Sequence, residues 1–302
     1  MEADIKSCFD EIDHKWLQEN VLMDKSILQE WLKSGFMEGE KLFPTKMGAA
    51  QGSVASPTLV NITLDGLEKT LKEKFGDKSG QKNRKMVHVC RYADDFIVTC
   101  KSKELLEEEV LPAIRQFLGL RGLQISEEKT RITHINKGFD FLGQNTRKYG
   151  EKLLTIPSKK SQLSLKGKLK ATIKQHGQDA PTLIKKINPI IRGWCNYHRY
   201  IVSRKVFEKV DNYVFKLLWA WARKQHSKKG KRWIVTKYFH CNRKWVFATK
   251  TKQGKIKEQY LASSTQIRRH ILIKGKTNPY DKEWEAYLEK RAERKNVPCV
   301  VS

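Results

Sequence analysis

The chain has 302 residues, enough for two domains, and 39% of them are hydrophobic, so a packed core is expected. No apolar run is long enough to cross a bilayer, no apolar signal segment opens the chain, and the six cysteines (8, 90, 100, 195, 241 and 299) contain no C-x-x-C pair. Membrane, secreted, zinc-ribbon and disulfide-framework classes are set aside on these grounds, and reduced thiols in the cytoplasm are expected. The formal net charge of +27 is uneven: residues 1–150 hold 23 Lys or Arg against 23 Asp or Glu, while residues 151–302 hold 37 against 10. A neutral half therefore precedes one suited to a polyanion.

Residues 2–9 read as a strand. Ile12, Trp16, Leu17, Val21 and Leu22, then Ile27, Leu28, Trp31 and Leu32, recur at helical spacing. A loop through Pro44 and Gly48 leads to Ala50-Gln51-Gly52-Ser53-Val54-Ala55-Ser56-Pro57. A helix is expected next, with Ser56 as N-cap, Pro57 at its first position, and Leu59, Ile62, Leu67 and Leu71 on its buried side. Asp77–Lys85 is a polar loop. Val87 and Val89 on one side and Phe96, Ile97 and Val98 on the other then flank Tyr92-Ala93-Asp94-Asp95, which predicts a hairpin with two carboxylates at its tip. Adjacent carboxylates repel unless a cation lies between them, and this is how a divalent metal site begins. Asp4 is a third carboxylate in a strand setting, and two-metal phosphoryl transfer needs such a cluster, with ions about 4 Å apart. An Asp-Asp pair by itself is as well explained by a solvated turn.

A helix from about Lys103 to Leu118 buries Leu106, Val110, Ile114 and Phe117, and Phe139–Gly143 is a short apolar run. This order of elements predicts an α+β sheet with helices on one face. From Ser158 to about Gln225 the pattern is helical and basic. Beyond Lys231 it is mixed, with β-prone runs at Trp233–Thr236 and Trp245–Thr249. Trp194, Tyr197, Tyr200, Trp219, Trp221, Trp233 and Trp245 are interleaved with the positive charge, a combination that favours nucleic acid over an anionic membrane.

Five blocks now stand in one order: Asp4-Ile5-Lys6 with Phe9-Asp10, Gln51-Gly52 with Ser56-Pro57, Tyr92-Ala93-Asp94-Asp95, Glu128-Lys129-Thr130, and Phe141-Leu142-Gly143. They resemble the palm motifs of reverse transcriptases. Ile187–Arg199 resembles the maturase-specific segment of group II intron reverse transcriptases, and the tail around Arg268-Arg269-His270-Ile271 and Asn278–Glu285 is similar to that family's extension. The resemblance implies a reverse transcriptase palm over residues 1–150, an α-helical thumb/maturase domain over 151–230, and a small basic extension over 231–302.

It also implies roles. Asp4, Asp94 and Asp95 would be catalytic carboxylates holding two Mg²⁺ ions, with the Ile5 carbonyl as a further ligand. Phe9 matches the position whose bulk excludes a ribose 2′-hydroxyl, with ordinary strand packing as the alternative. Gln51 and Gly52 match the loop beside nucleotide and template. Lys129 supplies a proton or charge to the leaving group, or is an ordinary exposed helix-end lysine. Phe139–Gly143 would be a primer-supporting hairpin, or simply a core strand. Arg192, Arg199, Arg204 and Lys205 would bind RNA. The implied partners are a group II intron RNA, a DNA primer or target and deoxynucleoside triphosphates, and no membrane.

The chain departs from the family at Ala50, where proline is usual, and at Ser53, where a second glycine is common. Met1 lies just before Asp4, so the fingers region is expected to be absent or supplied by a separate fragment, and no HNH endonuclease is expected after Ser302. The alternative in another class is an RNA-binding splicing cofactor, or mobile-element remnant, whose polymerase is inert.

Overall fold

The computed structural model describes the chain apart from residues 39–40, 44–46, 50–53, 77–84, 176–178, 241–244, 252, 269–272, 275–276 and 297–302. Two compact units emerge, Met1–His134 and Ile135–Ser302.

In the first unit, β1 (Glu2–Ala3) and β2 (Ile5–Lys6) are two short strands in place of the single one expected over 2–9. Ser7 adopts φ 41, and its carbonyl accepts from the amides of Asp10 and Glu11, so the strand ends in a turn. Helices α1 (His14–Asn20) and α2 (Lys25–Lys33) start where Asp13 and Asp24 accept hydrogen bonds from backbone amides of the first turn. They bury Leu17, Leu28 and Leu32. Strands β3 (Phe36–Glu38) and β4 (Lys41–Phe43) pair antiparallel.

The helix expected from Ser56 onward is two helices, α3 (Ser56–Leu64) and α4 (Leu67–Phe75), broken where Asp65 is extended and Gly66 left-handed. Ala55, not Ser56, is the capping residue of α3, and Ser56 is buried as its first residue. Leu59, Leu67 and Leu71 are buried as expected. β5 (His88–Tyr92) and β6 (Asp95–Thr99) form the hairpin, with Tyr92 opposite Asp95. The helix after it runs as α5 (Lys103–Leu105), a π-helical stretch (Leu106–Val110) and α6 (Leu111–Gly119). It buries Leu106, Val110, Ile114 and Phe117.

β6 lies between β5 and β1. β1 also exchanges backbone hydrogen bonds with Arg131, and β2 pairs with β7 (Gln124–Ile125). The N-terminal segment is thus paired on both sides, with Leu59, Leu64, Leu71, Phe96, Val98, Ile114 and Leu118 in the core around it.

In the second unit, β8 (Phe139–Phe141), β9 (Gln144–Tyr149) and β10 (Lys152–Pro157) form an antiparallel meander. Helices α7 (Lys159–Lys174), α8 (Ala180–His198) and α9 (Arg204–Gln225) follow. Apolar residues at steps of three and four, such as Leu165, Leu169 and Ile173, Ile184, Ile187 and Ile191, and Phe207, Val210 and Val214, build one core.

Trp233–Thr236 is helical, contrary to its β-prone composition: α10 (Lys231–Ile234) continues as a π-helical stretch to Phe239. Ile234, Tyr238 and Phe239 are buried together by that winding, so packing overrides strand propensity. Strands β11 (Ala248–Lys250) and β12 (Ile256–Glu258) pair antiparallel, and α11 (Glu285–Asn296) is the last helix among the described residues.

After β12 a strap is fastened to α8 and α9. Asn188 donates to Glu258 O (2.8 Å) and accepts from Tyr260 N (2.8 Å). Asp211 accepts from Ala262 N (2.6 Å) and Ser263 N (2.9 Å), and Arg268 N donates to Arg199 O (2.9 Å).

Candidate active site and nucleic-acid interface

The Tyr92–Asp95 turn has Ala93 in the left-handed region, at φ 54. The Arg91 guanidinium braces it, donating to Ala93 O (3.0 Å) and Asn61 Oδ1 (3.2 Å). Neither residue was a sequence candidate, and the one available signal was a cation just before a turn that needs a positive φ. Asp94 is half-buried and Asp95 exposed at the head of β6.

Ala3 lies opposite Phe96, so one step along the same register brings Asp4 beside Asp95. Asp4 O accepts from Ser126 N (2.9 Å) across to β7. Ile5 therefore occupies the alternate position of that ladder, and its carbonyl is turned away from β7.

Lys129 sits in a turn rather than at a helix end, and its Nζ donates to Asp4 Oδ2 at 2.8 Å. That hydrogen bond, with the charges of Asp4, Asp94 and Asp95, holds the ammonium above the usual lysine pKa. The lysine side chain is 71% exposed and the aspartate 20%, so water screens the pair on one side only. Cys8 is buried nearby: burial first, then the charges of Asp94 and Asp4, pushes its thiol up to about 12, so it stays protonated and inert.

The three predicted carboxylates thus act on one ammonium, and two of them, Asp94 and Asp4, also on one thiol. Their donors are all hard oxygens, as Mg²⁺ requires. Among the described residues, however, no three His, Cys, Asp or Glu side chains are grouped closely enough to hold a metal ion as they stand.

Phe9 is in the turn beyond β2, partly buried against the first core, and its carbonyl accepts from Ala49 N (2.6 Å). Gln51 and Gly52 lie outside the described residues, as do Arg269, His270 and Ile271. Phe139–Phe141 is the strand β8, and Leu142-Gly143 is its turn.

In the basic half, Trp194 packs against the second core and donates to Ser161 Oγ (2.9 Å), while Tyr197 is half exposed and donates to Leu142 O (2.6 Å). The Arg192 guanidinium lies over the Tyr260 ring at 5.1 Å. Arg204 is engaged within the protein, by Ser263 O (2.6 Å) and Glu208 (3.2 Å), and Lys205 is exposed. Arg199 Nε and Arg268 Nε are buried and have no hydrogen-bond partner among the described residues. Arg268 is the further candidate that spacing alone did not single out. No helix among the described residues is long and apolar enough to cross a membrane.

Residues 1–146 match the family model described as "Reverse transcriptase (RNA-dependent DNA polymerase)", and residues 162–239 match "Group II intron, maturase-specific domain". Protein YkfC of Escherichia coli (strain K12) is 29% identical over 196 residues, 53% of this chain and 51% of YkfC. The group II intron-encoded protein LtrA of Lactococcus lactis subsp. cremoris is 26% identical over 206 residues, 49% of this chain and 34% of LtrA. An uncharacterized 91 kDa protein in the cob intron of Schizosaccharomyces pombe is 26% identical over 294 residues, 72% of this chain and 36% of that protein. The chain therefore spans half of the first of these relatives and about a third of the other two. A telomerase structure from Candida albicans covers 78% of this chain and 49% of that one, with a TM-score of 0.40 and 12% identity, too distant a likeness to bear on function. Reverse transcriptases as a family use Mg²⁺ and engage RNA, consistent with the all-oxygen donor set and the basic second unit. With a polymerase region followed in order by a maturase-specific region, the chain belongs to the reverse transcriptases and maturases of group II intron type.

Proposed function

We propose that this chain supplies the polymerising palm and the RNA-binding maturase segment of an RNA-directed DNA polymerase, with two Mg²⁺ ions, deoxynucleoside triphosphates, a DNA primer and an intron RNA as its ligands. The observation that carries this reading is the Lys129–Asp4 pair at 2.8 Å, with Asp94 and Asp95 acting on the same ammonium. Asp4, Asp94, Asp95 and the Ile5 carbonyl would hold the ions. Bound there, Mg²⁺ would lower the pKa of the primer 3′-hydroxyl and neutralise charge on the departing pyrophosphate. The carboxylates keep the site anionic, and Lys129 releases Asp4 and offers its Nζ proton to the pyrophosphate oxygen. Phe9 presents its ring beside the sugar of the incoming nucleotide.

In the second unit, Arg199 and Arg268 would take RNA phosphates on their outer guanidinium nitrogens, neither buried Nε having a partner among the described residues. Arg192 and Lys205 would add to that face, whereas Arg204 serves the strap. Relatives named as intron proteins support an intron RNA as the partner.

One observation favours a second reading. Among the described residues no three His, Cys, Asp or Glu side chains are grouped closely enough for a metal, and on that reading the chain would serve as a non-catalytic RNA-binding splicing cofactor. Extension of a DNA primer on an RNA template, in Mg²⁺, separates the two. The polymerase reading expects extension that Asp94→Asn abolishes while RNA affinity is retained. Extension that survives Asp94→Asn would refute it, and RNA binding without extension would favour the cofactor.

A further inference from the structure

Asn188 and Asp211 fasten the strap by its main chain, and Arg204 of α9 spends a donor on the same task, at Ser263 O (2.6 Å). One contact serves α8 instead. The strap carries the Tyr260 ring, and the guanidinium carbon of Arg192 lies over that ring, 5.1 Å from its centroid. Asn188, which accepts from Tyr260 N at 2.8 Å, stands one helical turn before Arg192 and so shares its face of α8.

The ring is pinned at both ends. Asn188 holds its backbone, and its hydroxyl meets Thr265 Oγ1 at 2.7 Å, on a residue that is itself buried. The side chain also packs against the second core. Arg192, by contrast, is exposed, and among the described residues its guanidinium has no hydrogen-bond or ion-pair partner. Stacking restrains a guanidinium through its face and leaves the five N–H donors of its edge uncommitted. An unrestrained arginine must be ordered by whatever binds it, at a cost to affinity. Here the fold has ordered the side chain already.

We propose that Tyr260 is a positioning residue for Arg192: the pinned ring holds the guanidinium by its face and leaves its donor edge open to an RNA phosphate. The RNA-binding face is then built jointly by the maturase-specific region and a segment beyond it, since Tyr260 falls outside residues 162–239. A planar fork of donors matches phosphate oxygens, and 37 basic against 10 acidic residues over 151–302 favour a polyanion. The role toward RNA rests on the RNA-binding reading above. The stacking itself is a property of the strap and α8.

The full chain is compared with Tyr260→Phe, Tyr260→Leu, Arg192→Gln and the double variant of the last two. Two readouts are taken: the NMR position of the Arg192 Nε–H signal, which a ring face shifts, and the Kd for a stem–loop RNA over a range of salt. Tyr260→Leu should move the signal to the position of a free arginine and raise Kd about two- to fivefold, the range of an exposed cation–π contact. It should leave the slope of log K against log salt unaltered, because the charge remains. Arg192→Gln should raise Kd and reduce that slope by about 1. In the Arg192→Gln background, Tyr260→Leu should raise Kd no further. Tyr260→Phe keeps the ring and should leave both readouts near those of the full chain. A signal unmoved by Tyr260→Leu would overturn the stacking. A moved signal with unchanged Kd would overturn the positioning role, and so would an equal rise in Kd from Tyr260→Leu in both backgrounds, the mark of a ring needed only for packing. A full chain that binds no stem–loop RNA would overturn that role together with the RNA-binding reading, and the NMR signal would still decide on the stacking.

Discussion

Replacing Gly48 by Ala probes the contact that fixes Phe9. Gly48 has φ 78, and a Cβ there would lie 2.3 Å from Phe9 O, 2.5 Å from Asp10 C and 2.6 Å from Asp10 Cα. Three hydrogen bonds lock the same contact: Gly48 N to Ile12 O (2.8 Å), Ala49 N to Phe9 O (2.6 Å), and His14 Nε2 to Gly48 O (2.6 Å). The clashing atoms are backbone, so no side chain can swing aside. A left-handed alanine costs about 1–2 kcal/mol, and a forced backbone shift costs about 1–3 kcal/mol more. The sum, about 2–5 kcal/mol, is a large part of the stability of a domain this size. Gly150→Ala is the control, because it is also left-handed at φ 57 but has nothing within 4 Å of its added carbon. It should lose only the conformational part, about 1–2 kcal/mol. Urea unfolding of both variants, followed by a probe in each unit, measures the two losses. If Gly48→Ala is no more destabilising than Gly150→Ala, the close approach of Gly48 to the Phe9–Asp10 backbone is wrong.

Three further outcomes are expected. Burial lowers the His198 pKa from 6.5 to about 4. Between those values the unfolded chain holds the proton and the folded chain does not, so the stabilisation is complete above pH 6.5 and is lost as pH falls toward 4. The whole is worth about 3 kcal/mol. Urea midpoints of the second unit across that window should fall with acid, and His198→Gln should flatten the slope; a slope that His198→Gln leaves intact would show that another group carries it. Arg199→Gln and Arg268→Gln should each weaken RNA binding and reduce the slope of log K against log salt by about 1, while Arg204→Gln should leave that slope unaltered; equal effects at all three positions would remove the distinction between Arg204, whose Nε is paired with Glu208, and the two arginines whose Nε has no partner among the described residues. Lys129→Met should raise the affinity for Mn²⁺ about two- to fivefold by freeing Asp4, as read by electron paramagnetic resonance; weaker Mn²⁺ binding would mean that the lysine organises the carboxylates rather than competing for them.

What the sequence made legible was whatever repeats with a period or stands between strand-forming neighbours. The helices of the second unit follow from Leu165, Leu169 and Ile173 and their like, and the carboxylate hairpin follows from the residues flanking Tyr92–Asp95. Asp4 could be joined to Asp94 and Asp95 only through the chemistry of a two-metal cluster and the family resemblance, because pattern carries no information across that separation. Its place beside Asp95 comes from the register of Ala3 with Phe96. Trp233–Thr236 misled because β propensity describes a fit to a half-buried sheet, and these residues meet a helix core instead. The hydrogen bond from Tyr197 to Leu142 O and the tethers from Asn188 and Asp211 were invisible for a different reason. Each joins a side chain to a distant main-chain group, and a main-chain group has no letter in the sequence.

That last property gives the strap an unusual freedom. Asn188 and Asp211 grip Glu258, Tyr260, Ala262 and Ser263 only by their carbonyl and amide groups, which every residue other than proline possesses. These four hydrogen bonds therefore ask nothing of the strap's letters beyond the absence of proline at the donating positions, and what constrains the letters is packing, with Ala262 buried in the second core and the Tyr260 ring against it. Asn188 and Asp211 have no such latitude, and a change at either cannot be compensated by any substitution in the segment they hold.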